Sequence, residues 1–565
     1  MPYRIALIVA LLLTLAAPVA VAQIETPAPG PSLATPPGSL PVSPVADLAG
    51  VQPLPLVGGR RAAFDAYVVE AMVTFGVPGA SVAVVQGGEV VSLQGVGVRE
   101  AGGTAPVTPD TMMMVGSVTK SFTSLLAATL VDAGKLTWET PVGDLLPGFA
   151  VADPEVTARL TVADLFCACT GLPRRDVEII IGADALTPKA LIASVAAFPL
   201  TAPLGERYEY SNQAFAIGGY AAAVAAGAAP DDLLEGYGLA MRQRVLGPLG
   251  MPNSTFDLAA VLASGDYAVP HAADLSGDAQ PLSPIVDDRF ATAVAPAGAL
   301  WSSAREMAHY LQVQLAAGVA PSGTRVVSPE NLTRTWAPRT PIPPEAGTPP
   351  VLNEAFGAYG MGWGVGSYGG QRLINHSGGT LGFASEVAFL PDADLGVAVL
   401  TNGGLGGGLF AFAVQYRLFE LLFDQEPGAS AQLERFAADF GAQIADFAAL
   451  LPLVAPEAVT PFLGRYAHPT LGEVELALRG GELVLRTDLF RVELRPLPAE
   501  AGSDAGYVFV DPPFVGVPAG VVLQEQADGR PELVLIVEEN PEEESLSYAF
   551  APLAAEAPPA ASPAP

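Results

Sequence analysis

The sequence predicts an α+β fold that is followed by a smaller all-β unit. Two β-prone runs at residues 80–86 and 89–93, parted by Gly87-Gly88, open the larger unit, and amphipathic helical stretches follow before strand-like runs return. This order favours α+β over a regular α/β alternation. Near the C-terminus, alternating apolar positions on either side of Gly480-Gly481 predict a β-hairpin in a small antiparallel sheet or barrel.

The N-terminus has the pattern of a signal peptide. Arg4 precedes an apolar run at residues 5–17, and Ala20-Val21-Ala22 is a small-x-small cleavage site. We expect cleavage after about Ala22 and export to the periplasm or the extracellular space, with no stable membrane span afterwards. The alternative is an uncleaved membrane anchor, because residues 5–22 are just long enough to cross a bilayer.

The composition along the chain predicts its domain boundaries. The 565 residues exceed one typical domain, so two folded units with unstructured ends are expected. Pro, Ala and Ser dominate both ends, and a composition shift near 425–429 with a helix predicted over 432–451 separates the two units. The expected order is a signal peptide (1–22), a disordered Pro-rich linker (23–58), the larger unit (59–428), a helical linker (429–454), a small β-domain (455–552) and a disordered tail (553–565).

The charge balance and the lengths of the apolar runs each exclude one class of function. With 27 basic and 58 acidic residues the net charge is −31, so the chain would repel a nucleic-acid backbone. The apolar runs beyond the N-terminus are short and broken by Gly, Pro or charge, unlike those of a polytopic membrane protein. Lysine occurs only at Lys120, Lys135 and Lys189, so a lysine inside a motif is informative. The oligomeric state is left open.

Cysteine and histidine usage predicts neither a disulfide framework nor a metal site. Cys167 and Cys169 are two residues apart, a spacing at which a mutual disulfide is expected to be badly strained, so both are predicted to fill the core. The histidines are scattered without ligand spacing, so no metal and no cofactor are expected. They are His271, His309, His376 and His468.

The first candidate motif is Ser117-Val118-Thr119-Lys120. It opens a segment whose apolar residues recur at helical spacing and which stops near Gly134, so the serine is predicted to begin a helix, at the positive end of its dipole. Lys120 then lies on the same face. Serine alone is inert near neutral pH, but an amine whose pKa is lowered by desolvation and nearby positive charge can take its proton. The alternative is an N-cap serine beside a solvated lysine.

The second candidate motif is Tyr210-Ser211-Asn212, which precedes a helical stretch at 213–226. In an extended loop, residues two apart point to the same side. Tyr210 would then supply a phenol for proton transfer, and Asn212 an amide that holds a substrate carbonyl. The alternative is helix capping by Asn212 with Tyr210 packed in the core.

The third candidate motif is His376-Ser377-Gly378-Gly379, between strand-like runs at 371–375 and 384–390. Two glycines allow a substrate to lie against exposed backbone. On an edge strand, their N–H groups could bind a developing oxyanion. The alternative is a plain β-turn with a surface histidine.

In this order, SxxK, YxN and HxG resemble the motifs of the serine β-lactamase and penicillin-binding-protein superfamily, specifically its class C-like branch. The similarity runs from about residue 60 to about 425. Further landmarks in it are Leu172-Pro173 after Thr170-Gly171, Pro248-Leu249-Gly250-Met251, Pro296-Ala297-Gly298, Gly362-Trp363-Gly364 and Leu400-Thr401-Asn402. The C-terminal unit resembles the small β-domains sometimes appended to such hydrolases.

The resemblance implies a β-lactamase/transpeptidase-like fold, in which a mixed antiparallel sheet flanked by helices lies beside a helical lobe, with Ser117 in the groove between them. It implies that Ser117 attacks the substrate while Lys120 and Tyr210 exchange its proton, and that an acyl-enzyme forms. Water activated by Tyr210 with Lys120 would then release the acid.

The resemblance also implies a binding role for the remaining motif residues. Asn212 and Ser377 would orient the substrate, with His376 and Gly378 beside them. The backbone N–H groups of Ser117 and Gly379 would form the oxyanion hole.

His376 is a departure that bears on the substrate. Class C β-lactamases carry a lysine at this position, whereas a histidine near neutral pH is mostly uncharged. The HxG variant is similar to that of esterases and D-aminopeptidases, so we expect a serine hydrolase that acts through an acyl-enzyme on an ester or amide, in a small molecule or a D-amino-acid peptide. The alternatives are a β-lactamase or D,D-carboxypeptidase and, in another class, a non-catalytic cell-wall or protein-binding module.

Overall fold

The computed structural model describes residues 47–183, 186–345, 347–498, 506–517, 519–538 and 545–553. The predicted signal peptide, most of the predicted linker and nearly all of the predicted tail lie outside these residues. Within the described residues, no helix combines the length and the apolar composition that crossing a bilayer requires.

The larger unit is built on an antiparallel sheet. Its strands are β1 (Gly79–Gln86), β2 (Glu89–Gly97), β3 (Met113–Met114), β4 (His271–Ala273), β5 (Ala279–Pro281), β6 (Trp301–Ser302), β7 (Thr340–Pro341), β8 (Ala358–Tyr359), β9 (Gly364–Tyr368), β10 (Gln371–Gly379), β11 (Ala384–Leu390) and β12 (Leu395–Thr401). The main sheet has the order β2-β1-β12-β11-β10-β9-β8-β7, while β3–β6 and β4–β5 form separate pairs. The mixture of this sheet with helices confirms the predicted α+β class.

Both faces of the sheet are buried, which explains its continuous apolar runs. Along β1, Ala83 and Val85 belong to one apolar core, and Val82 and Val84 belong to the other. The β1–β2 hairpin turns at Gly87-Gly88, whose φ values of 63° and 77° suit the two central residues of a type I′ turn.

Helices precede, separate and follow the strands of the sheet. They are α1 (Gly58–Thr74), α2 (Thr119–Asp132), α3 (Val142–Leu145), α4 (Pro154–Arg159), α5 (Val162–Phe166), α6 (Asp176–Ile180), α7 (Pro188–Ser194), α8 (Asn212–Ala226), α9 (Leu233–Met241), α10 (Gly247–Leu249), α11 (Leu258–Ser264), α12 (Pro284–Thr292), α13 (Ala295–Gly298), α14 (Ala304–Leu315), α15 (Pro329–Thr335), α16 (Pro350–Ala355), α17 (Leu405–Leu422), α18 (Ala429–Leu450) and α19 (Pro456–Val459). Helices α1 and α17 pack on the face that carries Val82, and α2 lies in the core on the opposite face.

The packed chain begins earlier than the predicted boundary at residue 59. Leu48 and Leu56 are buried in the same core as α17. The Leu48 N–H donates to the Gly369 carbonyl at 2.7 Å, and the Leu54 N–H donates to the Leu422 carbonyl at 2.7 Å. The described end of the predicted linker is therefore part of the larger unit. Its leucines bury apolar surface, although the Pro-rich composition around them predicts disorder.

The C-terminal unit is a closed barrel of eight strands, which confirms the predicted small β-domain. The strands are β13 (Gly464–His468), β14 (Gly472–Arg479), β15 (Glu482–Arg486), β16 (Arg491–Pro496), β17 (Gly506–Phe509), β18 (Ala519–Glu525), β19 (Pro531–Val537) and β20 (Leu546–Pro552). Strands β14 and β15 form the predicted hairpin. Val177 of α6 is buried in the same apolar cluster as the barrel's interior leucines, so the larger unit contributes a side chain to the barrel core.

The two cysteines form a disulfide, contrary to the sequence-based expectation. Ala168 between them has a φ of 51°, in the left-handed region. This turn brings the Cα atoms of Cys167 and Cys169 to 5.3 Å, within the ordinary range for a disulfide. The expectation failed because it assumed an ordinary φ at the middle residue.

Candidate active site

Ser117 lies in a 3₁₀ turn, Gly116–Val118, that runs directly into α2. The predicted helix start is thereby confirmed, and the helix ends at the Ala133 C-cap with Gly134 at a φ of 63°. Every residue of α2 from Thr119 to Leu130 is buried, so this helix lies in the middle of the core. A buried helix holds Ser117 and the side chain one turn later in fixed positions.

Lys120 is fully buried and faces the serine. Its Nζ lies 3.0 Å from Ser117 Oγ, 2.6 Å from Asn212 Oδ1 and 2.8 Å from the Ala297 carbonyl oxygen. Burial lowers the pKa of this amine well below its ordinary value. The alternative of a solvated lysine is therefore excluded, and the amine is suited to exist in the neutral form.

Two charged residues act on Lys120 in opposite directions. The Asp176 carboxylate raises the pKa of the amine, and the Arg174 guanidinium lowers it. These two residues form an ion pair, with Arg174 Nε 2.5 Å from Asp176 Oδ2. Their net electrostatic effect on the amine is therefore smaller than the effect of burial, which is the largest cause of the shift.

Tyr210 completes the cluster. Its hydroxyl donates to Ser117 Oγ at 3.0 Å, and burial raises the pKa of the phenol above its ordinary value, so it stays protonated at neutral pH. Ser211, not Asn212, caps α8, because its hydroxyl accepts from the Ala214 N–H at 3.3 Å. The Asn212 side chain is thus left for Lys120, on the same side as Tyr210.

His376 is buried rather than exposed, which excludes the surface-turn alternative. Its Nε2 lies 2.9 Å from the Tyr359 hydroxyl, and its Nδ1 lies 2.6 Å from the Ser377 carbonyl oxygen. Burial, with a further contribution from the nearby charge of Lys120, lowers the pKa of this imidazole to about 3. The ring is therefore uncharged at neutral pH.

Strand β10 is internal to the sheet, whereas the interpretation of its glycines as oxyanion donors assumed an edge strand. Its pairing with β9 covers Gln371 to Asn375, and the stretch that carries the motif pairs with β11. The last residue, Gly379, is exposed, and Ser377 is partly exposed. The end of the strand therefore offers backbone to the groove even though its first half is enclosed.

Glycines allow β10 to touch the turn that carries the serine. A Cβ on Gly378 would lie 2.0 Å from the Val115 carbonyl oxygen, and a Cβ on Gly116 would lie 2.7 Å from the Gly379 nitrogen. Gly116 also has a φ of 51°, which favours glycine. The backbones around Ser117 and Gly379 are thus in direct contact.

Four residues of the site were not singled out from the sequence: Arg174, Asp176, Ala297 and Tyr359. Ala297 lay within a recognised landmark, but its contact is made by the backbone carbonyl, which no side-chain pattern indicates. Tyr359 carries no sequence signal and lines a narrow cavity with Lys120 and Tyr210. Arg174 and Asp176 follow the Leu172-Pro173 landmark, which was the available signal.

Comparison with known proteins places this cluster in a family. A relative from Amycolatopsis lactamdurans, Penicillin-binding protein 4, is 30% identical over 345 residues, 61% of this chain and 86% of that protein. The unguisins hydrolase of Aspergillus campestris is 27% identical over 420 residues, 71% of this chain and 74% of that protein. The solved octameric penicillin-binding protein homologue from Pyrococcus abyssi shares the fold, with a TM-score of 0.54 at 22% identity over 87% of this chain and 99% of that chain.

The family model described as Beta-lactamase matches residues 64–419, more than half of the chain. This segment contains Ser117, Lys120 and Tyr210, whose side chains meet in the structure. The chain therefore belongs to the beta-lactamase family of serine hydrolases.

Proposed function

We propose that the chain cleaves an ester or an amide by way of an acyl-enzyme on Ser117. One observation carries this proposal: Ser117 Oγ lies 3.0 Å from Lys120 Nζ and 3.0 Å from the Tyr210 hydroxyl. A nucleophile within hydrogen-bond reach of its base is the requirement for covalent catalysis by an alcohol.

Acylation uses both Lys120 and Tyr210 to move protons. The Ser117 oxygen bonds to the substrate carbonyl carbon as its proton passes to the neutral amine of Lys120. The bond from that carbon to the leaving oxygen or nitrogen then breaks, and the leaving atom takes the proton of the Tyr210 hydroxyl. The proton held by Lys120 restores the phenol, so both side chains return to their starting states while the acyl group stays on Ser117.

Deacylation repeats these steps with water as the nucleophile. Water gives a proton to Lys120, with the Tyr210 phenol beside it, and the water oxygen bonds to the acyl carbon. The Ser117 oxygen leaves that carbon and takes the proton back, which releases the carboxylic acid and restores the enzyme.

We assign the oxyanion hole to the backbone N–H groups of Ser117 and Gly379. These two backbones are in contact because Gly116 and Gly378 have no side chains to separate them, and this contact supports the assignment. Losing one such donor typically lowers the rate by about 10² to 10³. Asn212 and Ser377 are proposed to orient the substrate.

The neutral state of His376 supports an ester or a D-amino-acid amide as substrate. A buried imidazole whose pKa is about 3 cannot provide a fixed positive charge for a substrate carboxylate at neutral pH. One relative is named as a hydrolase and another as a penicillin-binding protein, which supports a hydrolase of this family without fixing its substrate. A β-lactamase or D,D-carboxypeptidase is the second candidate.

Labelling with a fluorophosphonate tests the enzyme proposal against a non-catalytic binding module. We expect wild type to be labelled and Ser117→Ala to remain unlabelled, with Ser121→Ala on the same helix as a serine control that leaves the nucleophile in place. A folded wild-type protein that resists labelling would show that the site does not support covalent catalysis.

A turnover panel separates the substrate classes. A short-chain nitrophenyl ester, a D-alanyl amide and a chromogenic cephalosporin are compared by kcat/KM on the same preparation. We expect the ester or the amide to lead. A cephalosporin that wins by orders of magnitude would overturn the substrate proposal and favour the β-lactamase.

A further inference from the structure

Helix α6 lies between the active site and the barrel. Its first residue, Asp176, accepts a hydrogen bond from Asn212 Nδ2 at 2.8 Å. Its second residue, Val177, is buried in the apolar cluster of the barrel. A helix of five residues therefore contacts both units within a single turn.

The contact with Asp176 determines which end of the Asn212 amide faces Lys120. An ionised carboxylate only accepts hydrogen bonds, so it binds the NH₂ end of the amide. The carbonyl end, Oδ1, is then directed at Lys120 Nζ, 2.6 Å away. A flipped amide would set its NH₂ group against the amine, where it could bind only the lone pair that is needed for the Ser117 proton, and would remove one of the acceptors that orient Lys120.

The second oxygen of Asp176 is held by Arg174, whose Nε lies 2.5 Å from Oδ2. Both side chains are largely buried, with 12% and 14% of their surfaces exposed. The carboxylate is thus fixed on both sides, by the amide that it orients and by the guanidinium.

The barrel holds the other side of α6. The Tyr548 hydroxyl on β20 donates to Glu178 Oε1 at 3.1 Å. Ile180 and Ile181 pack against the barrel cluster that contains Val177. Helix α6 therefore contacts the active site through Asp176 and the barrel through Val177 and Glu178.

We propose that Asp176 is a positioning residue for the Asn212–Lys120 pair and that the C-terminal barrel, through α6, holds Asp176 in place. This inference rests on the proposed function, because it assumes that the Lys120 amine takes the Ser117 proton. It gives the barrel a role in the hydrolase reaction that the motifs alone do not assign.

Two substitutions separate the orienting role of Asp176 from its charge. Asp176→Ala removes the acceptor, and we expect the rate of Ser117 labelling by a fluorophosphonate to fall roughly tenfold to a hundredfold at the optimal pH, because a displaced base loses its alignment. Asp176→Asn keeps an acceptor for the amide, so the rate at that pH stays within a few-fold of wild type.

The charge effect has a definite sign. The Asp176 carboxylate stabilises the protonated amine, so Asp176→Asn makes Lys120 lose its proton at lower pH, and the acidic limb of the labelling rate shifts to lower pH. Asp446→Asn on the exposed face of α18 changes the net charge equally and leaves the limb in place. The titratable or charged side chains that act on the Lys120 amine or lie beside it are Arg174, Asp176, Tyr210 and His376.

The rate of amide hydrogen exchange in the peptide that spans α6 tests whether the barrel holds this helix in place. We expect Tyr548→Phe and Val177→Ala each to increase this exchange about fivefold, the effect of a lost contact on a local opening equilibrium, and to slow Ser117 labelling. Tyr466→Phe is the matched control, because the hydrogen bond that it removes goes from a barrel tyrosine to the Phe462 carbonyl and not to a residue of α6.

The outcomes distinguish the two claims. An unshifted acidic limb in Asp176→Asn together with a wild-type rate in Asp176→Ala overturns the positioning role. Exchange and labelling that match the Tyr466→Phe control in both barrel-contact variants overturn the role of the barrel. A wild-type protein that is not labelled contradicts the proposed function itself, whereas the exchange measurement still reports whether the barrel holds α6.

Discussion

At the scale of the residue, the Lys120 amine has the surroundings that a proton acceptor needs. A neutral amine has two N–H bonds and one lone pair. The oxygens of Asn212 and Ala297, at 2.6 and 2.8 Å, accept the two N–H bonds, so the lone pair faces the Ser117 hydroxyl at 3.0 Å. Burial then favours this neutral state.

Replacement of Lys120 by arginine separates basicity from charge. A guanidinium cannot lose its proton in a protein, so Lys120→Arg places a permanent cation near Ser117 and removes the base. We expect kcat/KM for the nitrophenyl ester to fall by about 10² to 10⁴, with Lys135→Arg on the surface as the control. Substantial activity in Lys120→Arg would mean that the lysine acts only through its charge.

His376 makes the stability of the protein depend on pH. Its pKa is about 3 in the folded state and about 6.5 in the unfolded chain, so the unfolded chain binds one more proton between these values. The free energy of unfolding therefore falls as the pH drops from about 6.5 towards 3, by up to about 1.4 kcal/mol per pH unit from this group. Above pH 6.5 the contribution is constant.

We expect His376→Gln to lose this component, so its stability declines less steeply than that of wild type between pH 7 and pH 5. Urea unfolding at several pH values measures the difference. His309→Gln on α14 serves as the control for the loss of a histidine. Parallel stability curves for His376→Gln and wild type would contradict a neutral buried ring.

At the scale of the element, the contact between β10 and the serine turn depends on the absence of a side chain at Gly378. We expect Gly378→Ala to cost roughly 1 to 3 kcal/mol or more, because its methyl group would overlap the Val115 carbonyl. Gly379→Ala is the matched control, since a Cβ there meets no described heavy atom within 4 Å. Thermal unfolding of both variants measures the effect, and equal Tm values would show that the turn and the strand separate freely.

Elements whose signal is local could be predicted from the sequence. The runs at 80–86 and 384–390 match β1 and β11, because strands buried on both faces are mostly apolar. The Gly480-Gly481 turn gave the β14–β15 hairpin in the same way.

Features that depend on tertiary contacts could not be predicted. The Cys167–Cys169 disulfide follows from a left-handed Ala168, and the internal position of β10 follows from its pairing with β9. The Asp176 contact to Asn212 joins residues 36 positions apart, with nothing in either neighbourhood to indicate the pairing. The chemistry of Ser117 and Lys120 was readable because a three-residue spacing on a helix is itself a local feature.

At the scale of the whole molecule, we propose that the protein is exported. Arg4, the apolar run at 5–17 and the small residues at Ala20 and Ala22 support this proposal. We expect the mature protein in the periplasm or the medium to begin at about Gln23. Sequencing of its N-terminus after fractionation measures this, and replacement of Ala22 by a bulky residue should leave uncleaved precursor. Mature-length protein confined to the cytoplasm would contradict export.

Helix α6 packs with the barrel and also contacts the active site, which limits how the two units can be recombined. Val177 lies in the apolar cluster of the barrel, while Asp176, its neighbour in the chain, accepts a hydrogen bond from Asn212, whose other end contacts Lys120. A chimera that joined this barrel to another hydrolase at the interdomain linker would leave the barrel without that valine and would give it a foreign surface to rest on. Any functional transplant must carry the segment around 174–182 together with the barrel, so the unit of exchange is discontinuous in the gene.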